Sequence, residues 1–111
     1  LYGNVAALSG TVVREITGTS HTLQLEDANA ALYTTNASPI TITVPTNASV
    51  ALPVGAFVEI HVIGPGQVTV NNAVGVTITS LDNLRQSVGR YTVLTLRQLL
   101  VNSWSLGGGL A

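Results

Sequence analysis

Three segments of this chain alternate β-branched apolar residues with threonine: Ile40-Thr41-Ile42-Thr43-Val44, Val68-Thr69-Val70 and Val76-Thr77-Ile78-Thr79. Successive side chains of a strand point to opposite faces, so the isoleucines and valines line a core and the threonines line a second surface. Exposed strand positions are ordinarily given to Lys and Glu, which hold strand edges apart and keep proteins soluble. Here the second surface is polar but uncharged, and hydroxyls suit packing against another copy of the chain. Thr41, Thr43, Thr69, Thr77 and Thr79 are therefore the candidate oligomer-interface residues.

Composition narrows the alternatives. Only 8% of the 111 residues are charged and none is lysine, against roughly a quarter charged in an ordinary soluble domain. The net charge of −1 offers no basic footprint for nucleic acid. No apolar run approaches the roughly 20 residues of a helical membrane span. A transmembrane barrel would carry aromatic girdles, whereas aromatics make up 5% of this chain. With no cysteine, disulfides and thiolate metal sites are excluded. The opening Leu1-Tyr2-Gly3-Asn4 has neither the charged nor the long apolar region of a signal peptide.

The pattern along the chain predicts strands over residues 11–16, 22–25, 32–35, 40–44, 57–63, 67–71, 76–80, 91–100 and 103–106, with a short extended piece over 50–52. Turn chemistry separates them: Glu26-Asp27-Ala28-Asn29, Asn36-Ala37-Ser38-Pro39, Pro53-Val54-Gly55 and Gly64-Pro65-Gly66, the last a hairpin signal. Residues 81–86 are the one segment with a helical turn. About ten short strands joined mostly by tight turns predict an all-β fold, an antiparallel β-sandwich or barrel, assembled as a homotrimer. A β-helix competes, because Thr-rich short strands also stack in solenoids, but Asn36-Ala37-Ser38 and Asn47-Ala48-Ser49 are the only echo and no fixed period is present. The expected division is an N-terminal arm over 1–9, one β domain over 10–107 and a Gly-rich tail over 108–111.

Residues able to do chemistry are few. Glu59 and His61 share a strand face at i, i+2, the one pair with metal-ligand spacing, and are read as a hydrogen-bonded surface pair. Ser20 and His21 are adjacent, so a strand sends them to opposite faces and they cannot cooperate as nucleophile and base. Nucleophile elbow and phosphate loop are both absent from the sequence. No catalytic residue, metal ligand or cofactor is therefore assigned, and the chain is read as not an enzyme. Arg85, Arg90 and Arg97 gather with Asp82 in the last third, as inter-subunit ion pairs or a weak anion site. Trp104, between Ser103 and Ser105, is assigned to the core or the subunit interface; with Tyr91 it is also the alternative ligand platform, since glycan-binding β domains stack sugars on aromatic rings.

The order of motifs from Ile40 onward carries a resemblance. Ile-Thr-Ile-Thr-Val-Pro (40–45), Asn47-Ala48-Ser49, Pro53-Val54-Gly55, Gly64-Pro65-Gly66-Gln67-Val68-Thr69-Val70, Gly75-Val76-Thr77-Ile78, Leu84-Arg85, Tyr91, Thr95-Leu96 and Asn102-Ser103-Trp104-Ser105-Leu106-Gly107 follow one another after a lead-in over residues 20–29. This succession, over residues 19–107, resembles a small β domain of tailed-bacteriophage virion proteins, found at the C-terminal end of tail fibres and other minor structural proteins. The resemblance implies a place on the outer surface of a virion and a homo-oligomeric state. The expectation is a capsid-decoration, head-fibre or tail-fibre module whose partners are itself and other virion proteins of capsid or tail, without nucleic acid and without membrane insertion. A host-receptor or glycan-binding module is the alternative.

Overall fold

The computed structural model describes residues 12–111; the arm expected over residues 1–9 lies outside them. Nine strands form: β1 (Val13–Ile16), β2 (Ser20–Thr22), β3 (Ala30–Thr34), β4 (Ile40–Val44), β5 (Phe57–Val62), β6 (Val68–Asn72), β7 (Thr77–Thr79), β8 (Thr92–Leu100) and β9 (Ser103–Gly108). Two 3-10 turns, Leu25–Asp27 and Leu81–Asn83, are the helical content of the described residues. The all-β expectation holds, and 81–83 is the helical turn the sequence marked. Residues 50–52 form no strand. Among the described residues no helix is long and apolar enough to cross a membrane.

The antiparallel expectation is corrected. Five of the seven strand pairs are parallel. From β1 to β6 the chain alternates between a six-stranded sheet, ordered β1-β3-β5-β8-β9-β7, and a three-stranded sheet, ordered β2-β4-β6. Each strand thus lies beside its counterpart one circuit earlier, and the first six strands make three coils. The predicted hairpin at Gly64-Pro65-Gly66 is instead a corner that carries the chain from one sheet to the other. Tight turns can serve either purpose, since a corner and a hairpin both need residues free of strand geometry.

The corners lie one on another. Asn36 Nδ2 donates to the Thr17 carbonyl at 3.0 Å, and the Thr41 amide to the Thr19 carbonyl at 2.9 Å. One coil later the Gly64 amide donates to Thr34 O at 2.7 Å and the Gly66 amide to Asn36 O at 3.0 Å. The approach at this second contact is so close that a Cβ on Gly64 would collide with the Thr35 backbone, and one on Gly66 with the Ser38 carbonyl. Glycine is there because another coil passes against it, not for a left-handed φ.

The apolar alternation then fills one core between the two sheets. Ile16, Leu32, Val58, Ile60, Val62, Leu94, Leu96 and Trp104 come from the larger sheet, and Ile40, Ile42, Val44, Val68 and Val70 from the smaller. At its first coil two inward positions turn polar, while Ile16 stays in the core. Arg14 pairs in register with buried Leu32, and His21 with buried Ile42. Both meet the fully buried Asp27, whose Oδ1 stands 3.4 Å from Arg14 Nε and whose Oδ2 stands 2.8 Å from His21 Nε2. Oδ2 also accepts the Gln24 amide at 2.8 Å. Inward-facing charge is a recognised way to blunt the end of a sheet stack, and here it borders the apolar core at the first coil.

The far end is closed by antiparallel pairing of β8 on β5 and β9 on β8. Residues 84–87 run along β6, where Arg85 O accepts from the Val70 amide at 2.9 Å and the Ser87 amide donates to Val68 O at 2.8 Å. The tail expected over 108–111 is tied down. Gly108 ends β9, the Gly109 amide donates to Val93 O, Leu110 bridges Ser87, and the Ala111 amide donates to Gln86 O.

Coil-on-coil stacking predicts a sharp asymmetry between glycines. Gly66→Ala lowers stability by about 1–3 kcal/mol, the usual cost of forced overpacking. Gly89→Ala, where an added methyl meets nothing within 4 Å, leaves it within about 0.5 kcal/mol. Urea denaturation of the two variants reads the difference.

Candidate functional site

In-register parallel pairing determines where the threonines go. On the outer face of the three-stranded sheet, Ser20, Thr41 and Thr69 fall in one row and Thr22, Thr43 and Asn71 in the next. Alternate residues of β4, namely Ile40, Ile42 and Val44, are buried while Thr41 and Thr43 are half-buried. The result is a small surface of hydroxyls and one amide, with no charged side chain among its six residues. Gln86 continues it, bridged to Thr69.

Thr77 and Thr79 do not belong to this surface. They sit on β7, at the edge of the other sheet, paired with Ser103 and Ser105 of β9, and both are exposed. The five threonines grouped by sequence pattern thus make two separate hydroxyl patches. Alternation within a strand says that a residue faces outward, but not from which sheet.

For Trp104 the core reading holds, and the interface and ligand-platform readings are corrected. It is 1% exposed, at the centre of the core, so in this chain its ring reaches neither a ligand nor a neighbouring subunit. Its partners across the sheet are Ile78 and Gln98, the latter also buried. Gln98 holds the surrounding loops: its Nε2 donates to Leu52 O at 2.7 Å and Pro53 O at 2.9 Å, and its Oε1 accepts from the Asn102 amide at 3.2 Å. Tyr91 is 71% exposed, at a left-handed φ of 66°, with the Arg90 guanidinium 4.8 Å from its ring centre. One ring is internal and the other external, so the two do not form a common platform.

The arginines do not converge either. Arg85 donates to Ile78 O at 2.8 Å, Arg90 to Ile63 O at 3.1 Å and Arg97 to Gly55 O at 3.0 Å, each fastening a different loop. Glu59 and His61 do meet, with His61 Nε2 3.2 Å from Glu59 Oε1. Among the described residues no group of three or more His, Cys, Asp or Glu is placed to hold a metal. Ser20 stands on the exposed side of β2 and His21 on the inner side, bound to Asp27, as adjacency on a strand requires.

Two features escaped the sequence reading. Asp27, which turn chemistry groups with Glu26, Ala28 and Asn29, is fully buried between Arg14 and His21. The outer face of β5 carries, besides Glu59 and His61, Phe57 beneath the Arg97 guanidinium, 5.2 Å from the ring centre. The alternation of Phe57, Glu59 and His61 was the available signal. In comparison with known proteins, no family model, no curated protein and no solved structure matches the chain.

The core position of Trp104 predicts that Trp104→Ala lowers stability by about 3–5 kcal/mol, as for other large aromatic truncations. Tyr91→Ala changes it by less than about 0.5 kcal/mol. Fluorescence-monitored unfolding fits Tyr91→Ala, and circular dichroism follows Trp104→Ala, which lacks the indole.

Proposed function

We propose that this chain is a structural protein of a bacteriophage virion, a capsid-decoration, head-fibre or tail-fibre module on the outer surface of the particle. It acts by protein–protein adhesion as a homotrimer, with capsid or tail proteins as its other neighbours. Two lines support this reading. One is the ordered succession of motifs over residues 19–107 that resembles the virion domain. The other, which carries it, is the uncharged hydroxyl surface of Ser20, Thr22, Thr41, Thr43 and Thr69.

A hydroxyl both donates and accepts, so such a surface can satisfy a partner's polar groups without a matching charge pattern. Its size matters too. Three strands at ~4.8 Å and five residues at ~3.3 Å cover roughly 240 Å², well below the ~800 Å² per partner of a standard interface. Contact therefore extends onto the coil corners and residues 84–87. Two unlike hydroxyl patches on different sheets also favour a ring. A head-to-tail contact joins one patch of each copy to the other patch of the next, and closes as a cyclic trimer; a two-fold dimer would need one patch facing itself.

Light scattering of the purified chain is expected to give three times the chain mass, unchanged on dilution. The double variant Thr41→Arg with Thr69→Arg is expected to be monomeric with its β-type circular dichroism retained, since both positions are on an outer face. A monomeric native chain contradicts the reading. Antibody against the chain is expected to label intact phage particles; labelling of lysate alone contradicts the virion assignment.

A further inference from the structure

The outer face of the larger sheet has a different character from either hydroxyl patch. Register aligns Val13, Ala31, Glu59 and Thr95 in a row that crosses β1, β3, β5 and β8. Tyr33 and His61 stand next to this row on one side, and Phe57 and Arg97 on the other. Apart from Glu59 the row has short side chains, whereas its flanks carry two aromatic rings, an imidazole, a guanidinium and the carboxylate of Glu15, which pairs in register with Tyr33. A shallow trough results, about 14 Å long over three strand spacings of ~4.8 Å.

Two open hollows lie along it. One, of about 270 Å³, is bordered by Val13, Ala31, Tyr33 and His61. The other, of about 360 Å³, is bordered by Phe57, Glu59, Thr95 and Arg97. Between them stands the Glu59 and His61 pair, with side chains 42% and 39% exposed. Arg97 is already held, stacked over Phe57 and donating one N–H to Gly55 O, and its guanidinium has further donors to offer.

This chemistry selects a ligand class. The trough holds the Glu59 carboxylate and the Arg97 guanidinium, with the Glu15 carboxylate at its rim beside Tyr33 and already accepting from Thr35 Oγ1, so it presents charge of both signs and matches neither a polyanion nor a polycation. It offers apolar ring faces together with acceptors and donors at short intervals, which suits a chain of sugar rings with apolar faces and hydroxyl edges. An extended peptide is a poorer occupant, because peptides add to a sheet at its edge, and the backbone groups of β3 and β5 are already paired on both sides. We propose that the trough binds a linear, uncharged oligosaccharide. The Tyr33 ring packs against a sugar face, Phe57 holds the Arg97 guanidinium in place over it, and Glu59, His61 and Arg97 hydrogen-bond to sugar hydroxyls. The hydroxyl patch of the smaller sheet contributes no residue to it, whereas Ser105, opposite Thr79 in the second patch, borders its Phe57 hollow, so trough and second patch adjoin.

The test is an amide-shift titration of the full ¹⁵N-labelled chain with maltohexaose, cellohexaose and chitohexaose at millimolar concentration. Saturable shifts centred on Ala31, Tyr33, Glu59, His61 and Thr95 are expected with at least one of them. Glu59→Gln and Phe57→Ala are each expected to weaken that binding about tenfold, the scale of one lost charge-assisted hydrogen bond or one aromatic contact. Val74→Ser, at a fully exposed loop, leaves it unchanged. The native amide-shift pattern of each variant shows that it has folded. No saturable shift with any of the three sugars overturns the proposal, as do shifts confined to the hydroxyl patches or binding that survives both substitutions.

Discussion

Parallel pairing of each coil with the one before it is the constraint on which the rest of this molecule depends. Because β1, β3 and β5 pair in register, and β2, β4 and β6 do the same, a residue type repeated at one coil position becomes a row on the surface or in the core. The core rows are apolar and each fully buried aliphatic side chain is worth roughly 1.5–3 kcal/mol. Corner contacts such as Gly66 to Asn36 fix how far one coil can slide on the next. A slip of one residue would send every core side chain to solvent.

Much of this was legible in the sequence, and the illegible part has a physical cause. Strand positions from Ile40 to Val44 and from Phe57 to Val62 follow from alternation alone, because one face of each is buried and period 2 is unambiguous. Connectivity was not legible. A coil leaves a fixed repeat only if its loops keep their lengths, and these do not: Val13 pairs with Ala31, eighteen residues on, whereas Ala30 pairs with Val58, twenty-eight on. Half of the extra length lies in the return path over residues 45–56, compared with 23–29 in the coil before, and the rest in the longer corner over 35–39 and the longer strands β3 and β4. Turn signals such as Gly64-Pro65-Gly66 then read as hairpins, since the need for a tight bend is common to both. The burial of Asp27 was hidden for a related reason: its partners Arg14 and His21 are brought to it by coil closure, not by local sequence.

The two outer faces differ in their chemistry as a result. The smaller sheet shows hydroxyls and no charge, and the larger shows aromatic rings with Glu15, Glu59, His61 and Arg97. Four arginines serve a chain of 111 residues, and each is committed to a carbonyl or a carboxylate within the fold. The guanidinium charge is thus committed to fastening loops and ending the core, which leaves the outer face of the smaller sheet to hydroxyls and one amide. Adhesion through one face and ligand contact through the other are compatible in a single small domain for that reason.

Backbone nuclear Overhauser effects across the threonine rows test the parallel coil most directly. Contacts that link Thr41 to both Ser20 and Thr69 are predicted, with the Ile40 amide near Gln67. A ladder of contacts that pairs residues 57–63 antiparallel with 67–71, as a hairpin through Gly64-Pro65-Gly66 would give, contradicts the account.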